Sequence, residues 1–97
     1  MNPTVLRRRI VAGNWKMHGS RAETRSLLEA LLAPASIDER VTCIVCPPFV
    51  YLTDAARELA GQLISLGAQD VCAESPGAYT GEIAAQMLKD VGCEYVL

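Results

Sequence analysis

Short apolar runs alternate along the chain with stretches whose apolar residues recur at helical spacing. Arg9 to Asn14 opens with Arg-Ile-Val-Ala and is closed by Gly13 and polar residues, which predicts a first strand. Ser20-Arg21-Ala22-Glu23 is a capping-box pattern, in which the serine hydroxyl accepts from a backbone N–H and the glutamate reaches back to the cap. A helix is expected to follow, with Leu27, Leu28, Leu31 and Leu32 as its apolar stripe and Pro34 close to its end. Val41 to Cys46 is almost wholly apolar and rich in β-branched residues, the mark of a strand buried on both faces, and Pro47-Pro48 ends it. Leu52, Ala55, Ala56 and Leu59 follow i, i+3, i+4, i+7 spacing and predict a second helix, finished by Gly61. Ile64 to Gln69 reads as a third strand. The longer loop from Asp70 to Gly81 contains the turn signal Ser75-Pro76-Gly77. Thr80 is placed to cap a third helix carrying Ile83, Met87, Leu88 and Val91 and ending at Gly92, and Tyr95-Val96-Leu97 opens a fourth strand.

The order β-α-β-α-β-α-β with right-handed crossovers puts four parallel strands side by side under a layer of helices. Half of a closed (β/α)8 barrel and an open doubly wound sheet both satisfy it. The 97 residues fall well short of the roughly 250 of a complete barrel, so residues 1–97 are expected to form the N-terminal part of a single domain.

Composition narrows the class further. With 51% apolar and 21% charged residues the chain has the makings of a packed core, which argues against disorder. A net charge of −2 supplies no basic field for nucleic acid or an anionic membrane. Arg7-Arg8-Arg9 precedes an apolar run too short for a signal peptide, and no window approaches the eighteen or so apolar residues of a membrane span, so a cytoplasmic location is expected. Cys43, Cys46, Cys72 and Cys93 lack the spacing of a metal site, because the two residues of Cys43-x-x-Cys46 fall on opposite faces of a strand. They are read as core thiols rather than metal ligands.

Ligands of parallel α/β folds gather at the carboxyl ends of strands, which singles out Asn14 and Lys16. If the stretch stays extended, the two side chains project the same way, so an amide and an ammonium meet one small anion. The same spacing also suits a solvated lysine beside a strand-ending asparagine.

Several motifs then act together. Ala12-Gly13-Asn14-Trp15-Lys16-Met17 resembles the first-loop signature of the triosephosphate isomerase family, Gly67-Ala68-Gln69-Asp70-Val71 its third-strand motif, and Gly77-Ala78-Tyr79-Thr80-Gly81-Glu82-Ile83 its third-loop motif. Cys46-Pro47-Pro48 and Gly92 to Leu97 match the end of the family's second strand and the run into its fourth, and only residues 1–8 fall outside the likeness. The resemblance implies a (β/α)8 TIM barrel that interconverts dihydroxyacetone phosphate and glyceraldehyde 3-phosphate through an enediolate without metal or cofactor. It implies Lys16 as the catalytic lysine, with Asn14, Trp15 and Lys16 binding the substrate. It implies a homodimer in which the loop around Tyr79, Thr80 and Gly81 enters the partner and braces its asparagine and lysine, Met17 sits within the partner's loop, and Gln69 and Glu82 support the interface.

The chain also departs from that pattern. The family's electrophilic histidine follows the fourth strand and its glutamate base lies in later strands, so neither is among these residues. His18 stands in the first loop, where many members have asparagine, and reads as a loop or interface residue. Each missing group supplies a factor of about 10² to 10⁴, so the 97-residue segment is expected to be inactive by itself. The alternative reading is a non-catalytic half-barrel dimerisation module. An unrelated open-sheet phosphate binder calls for a Gly-rich phosphate loop after the first strand, and none is present.

Overall fold

A computed structural model describes residues 7–33 and 37–97. Strands β1 (Arg9–Asn14), β2 (Val41–Cys46), β3 (Ile64–Ala68) and β4 (Tyr95–Val96) form one sheet in the order β1-β2-β3-β4, every neighbouring pair parallel. Helices α1 (Arg21–Leu32), α2 (Leu52–Leu59) and α3 (Ala85–Asp90) lie in the crossovers, and a single 3-10 turn, Phe49–Tyr51, leads into α2. Consecutive strands pair in sequence order with no reversal, as in a curling barrel wall rather than a doubly wound sheet.

Local chemistry explains the boundaries. Ser20 Oγ accepts from the Glu23 backbone N–H at 3.0 Å, so one half of the capping box forms and α1 begins at Arg21. Buried Thr24 turns its hydroxyl back to the Ser20 carbonyl at 2.7 Å, satisfying the polar atom that its burial would otherwise strand. Helix α1 ends at Leu32, and the role read for Pro34 lies outside the described residues.

The third helix departs from expectation. It starts at Ala85 with Ala84 in the cap position and no side-chain cap, so Thr80 does not cap it. Gly81 takes a left-handed φ of 90°, after which the chain runs extended to Ala84 and bridges Cys72 before the helix starts. Ile83, assigned to that helix from spacing, therefore lies in the approach to it.

The core sits between the sheet and the helices. Val45, Leu66 and Ala68 on the sheet meet Leu28 of α1, Leu52, Ala55 and Leu59 of α2, and Leu88 of α3. Each fully buried leucine contributes about 1.5–3 kcal/mol of transfer free energy. The opposite face carries Ile44, Cys46 and Gly67, since a side chain added at Gly67 would point at the first two. In-register partners share a face, so Ala12 and Asn14, opposite Ile44 and Cys46, belong to it too. Arg8 ties the lower end of the wall together, with its guanidinium donating to Thr42 Oγ1 at 3.0 Å and to the Glu39 carbonyl.

All four cysteines are free thiols, with Cys46 and Cys93 buried and Cys43 and Cys72 half-buried. Burial pushes the Cys46 and Cys93 thiols up from their ordinary value, and proximity to Cys46 adds to the effect at Cys93.

Candidate functional site

The carboxyl ends of β1, β2 and β3 present Asn14, Cys46 and Gln69 side by side, and the loop after β1 is fastened across them. The Trp15 backbone N–H donates to the Cys46 carbonyl at 3.2 Å. Asn14 Oδ1 accepts from the Lys16 N–H at 2.9 Å, and Lys16 itself adopts a left-handed φ of 54°. Gln69 Nε2 donates at 2.7 Å to the Lys16 carbonyl and at 2.9 Å to the Cys46 carbonyl. Side-chain amides from two strands thus hold both backbone polar groups of Lys16.

This geometry corrects the expectation of an extended stretch. Asn14 and Lys16 come together through a turn, in which the asparagine oxygen accepts from the Lys16 backbone N–H. A left-handed non-glycine residue costs on the order of 1–3 kcal/mol and persists only where its surroundings fix it. The Lys16 side chain is exposed, and no carboxylate among the described residues lies in salt-bridge range of it. Trp15 is half-buried and packs against the hydrophobic core, where it acts as a fixed point for the loop. His18 lines a groove with Trp15, Gly19 and the first turns of α1.

The second constellation is the loop after β3. Its base is closed where the Cys72 N–H donates to the Ile83 carbonyl at 2.8 Å. Its tip folds on itself, with the Tyr79 N–H on the Gly77 carbonyl at 2.9 Å and the Glu82 N–H on the Tyr79 carbonyl at 3.0 Å. Tyr79, Thr80, Gly81 and Glu82 are all exposed, and Met17 on the first loop is 92% exposed. Gln69, grouped with these residues by resemblance, is half-buried and engaged with the Lys16 loop of its own chain. Among the described residues no group of three His, Cys, Asp or Glu side chains is gathered for a metal ion.

With this geometry in view, the sequence was compared with known proteins. The profile of the triosephosphate isomerase family matches residues 9–97. The chain belongs to the triosephosphate isomerase family. Proteins named triosephosphate isomerase from Cupriavidus taiwanensis and Nitrosococcus oceani are 51% and 48% identical to it over 92 residues, in each case 95% of this chain and 37% of theirs. One from Bordetella pertussis is 52% identical over 97 residues, the whole of this chain and 39% of the relative. The chain therefore spans less than two-fifths of the length of these relatives, and its four parallel strands form the N-terminal part of the family's barrel. The clamp of Gln69 on Lys16 was missed by sequence reasoning. Its one visible signal was an amide side chain directly after β3, at the level where Asn14 ends β1.

Proposed function

We propose that the complete protein carrying this segment is a triose-phosphate isomerase, which moves a proton between adjacent carbons of a phosphorylated triose through an enediolate. The observation that carries this reading is Lys16, an exposed lysine whose backbone N–H and carbonyl are held at the carboxyl edge of the sheet by Asn14 and Gln69, in a chain of this family. Its charge stabilises the substrate phosphate and the negative oxygen that develops as the enediolate forms. A fixed cation is worth more in a water-excluded pocket than in bulk solvent. Asn14 contributes amide donors that orient the substrate, and Trp15 anchors the loop at the pocket's edge. The family is itself the standard worked case of a glutamate base paired with a neutral histidine electrophile. Neither group is present in residues 1–97, so the segment alone is expected to turn nothing over.

The protein is further proposed to act as a homodimer, with the Tyr79–Gly81 tip and Glu82 entering the partner and Met17 received by the partner's loop. Their exposure supports this, since an apolar side chain as bare as Met17 beside a candidate site suits a surface that becomes covered. No helix among the described residues is long and apolar enough to cross a membrane; a cytoplasmic location is proposed on the family alone. A non-catalytic dimerisation module would use the same exposed loop but gives no reason for two amides to hold a strained lysine.

The test is a coupled assay on the complete protein, dialysed against a chelator, with each triose phosphate in turn. Interconversion in both directions without added metal or cofactor is expected. Absence of turnover in a folded protein would leave the assembly reading in its place.

A further inference from the structure

We infer that Gln69 is a positioning residue for the Lys16 ammonium, acting through the lysine backbone rather than on the substrate; the inference rests on the isomerase reading above. Both hydrogens of one amide nitrogen are committed, to the Lys16 carbonyl at 2.7 Å and the Cys46 carbonyl at 2.9 Å. A single side chain at the end of β3 therefore joins the ends of β1 and β2. The Lys16 N–H is already held by Asn14, so the Gln69 contact completes the restraint on a residue whose φ of 54° lies outside the broad wells. Without it the Lys16 peptide is free to relax toward ordinary dihedrals, and the root of a long, flexible side chain turns with it. The ammonium then samples many positions, and a displacement of about 1 Å is enough to cost on the order of a hundredfold in rate.

The test is a double-mutant cycle on the complete protein. Gln69→Met keeps the length of the side chain and removes both donors, and Lys16→Met removes the charge. Gln69→Met is expected to lower kcat/KM by about tenfold to a hundredfold, as two net hydrogen bonds permit, and to weaken inorganic phosphate binding in the same direction. In the Lys16→Met background the same change is expected to have less than about a twofold further effect, since there is no ammonium left to position. Equal effects in both backgrounds, or a loss of thermal stability with unchanged kinetics, would overturn the inference and leave the isomerase reading intact. If the parent protein turns over no triose phosphate, that reading fails, and the phosphate-binding cycle alone decides Gln69: a Lys16-dependent loss supports the role, and a Lys16-independent one removes it.

Discussion

Gly67 stands where no side chain fits: a Cβ there would lie 2.8 Å from Cys46 Sγ, 3.1 Å from Ile44 Cγ2 and 3.4 Å from the Tyr95 carbonyl. The last contact involves backbone, and the sulfur is a buried side chain beneath the candidate site, so neither yields easily. Gly67→Ala is expected to destabilise the complete protein by about 1–3 kcal/mol in urea unfolding, and adding Cys46→Ala should recover part of that loss. Additive losses in the pair would show that Cys46 is not the obstacle. At this scale the sequence was informative about identity and silent about conformation. Asn14 and Lys16 could be picked out because polar residues after a parallel strand face the ligand side. The turn that brings them together could not, because lysine has no propensity for a left-handed φ, and only the hydrogen bonds from Asn14 and the more distant Gln69 make it tenable. Thr80 misled for the converse reason: it has the chemistry of a cap, yet the turn at Gly81 keeps the helix from starting there.

Between elements, the packing of α1 on α2 is laced by charge. Arg21 Nε meets Asp54 Oδ2 at 3.0 Å, Arg25 approaches Glu58 at 3.5 Å, and Arg57 lies 3.6 Å from Asp54. The hydrogen bond from Arg21, reinforced by the charges of Arg21, Arg57 and Arg25, holds the Asp54 carboxyl below its ordinary value. A carboxyl lowered on folding stabilises the folded state above its unfolded pKa, and that contribution is lost as pH falls through the folded value. Asp54→Asn should therefore lower the melting temperature near neutral pH, and the gap from the parent should close below about pH 4. A gap that persisted into acid would assign the effect to packing. At the start of α1, Ser20→Ala removes the acceptor for the Glu23 N–H and should cost about 1 kcal/mol in denaturant unfolding, with Ser20→Asp restoring most of it. The strand bounds of β1 and β2 were fully legible, because each is a short apolar run that ends at a clear break, the polar loop after Asn14 and Pro47-Pro48 after Cys46. The 3-10 turn at Phe49–Tyr51 was not, since its three residues carry no cap signal and no period.

Over the whole molecule, four strands make a wall whose helices pack on the face that carries Val45, Leu66 and Ala68. Ile10 and Val11 on β1 are each 61% exposed, and among the described residues β1 pairs on one edge alone. An open edge beside bare apolar side chains invites pairing with other chains. The isolated segment is accordingly expected to associate, with a sedimentation profile that shifts to larger species as concentration rises; a single monomeric species at all concentrations would show that the face is tolerated in water. Helix order and strand direction at this scale were readable from periodicity, but an open sheet shared them, and only the family's motifs chose the barrel. The measurement that tests the central claim most directly is kcat/KM for triose phosphate in the complete protein, compared with that of Lys16→Met. A loss of at least about a hundredfold with an unchanged unfolding midpoint is the predicted result, the scale expected when a preorganised charge leaves a transition state. A variant that turns over triose phosphate as fast as its parent would contradict the account, because the lysine whose backbone Asn14 and Gln69 hold at the strand ends would then have no part in the chemistry.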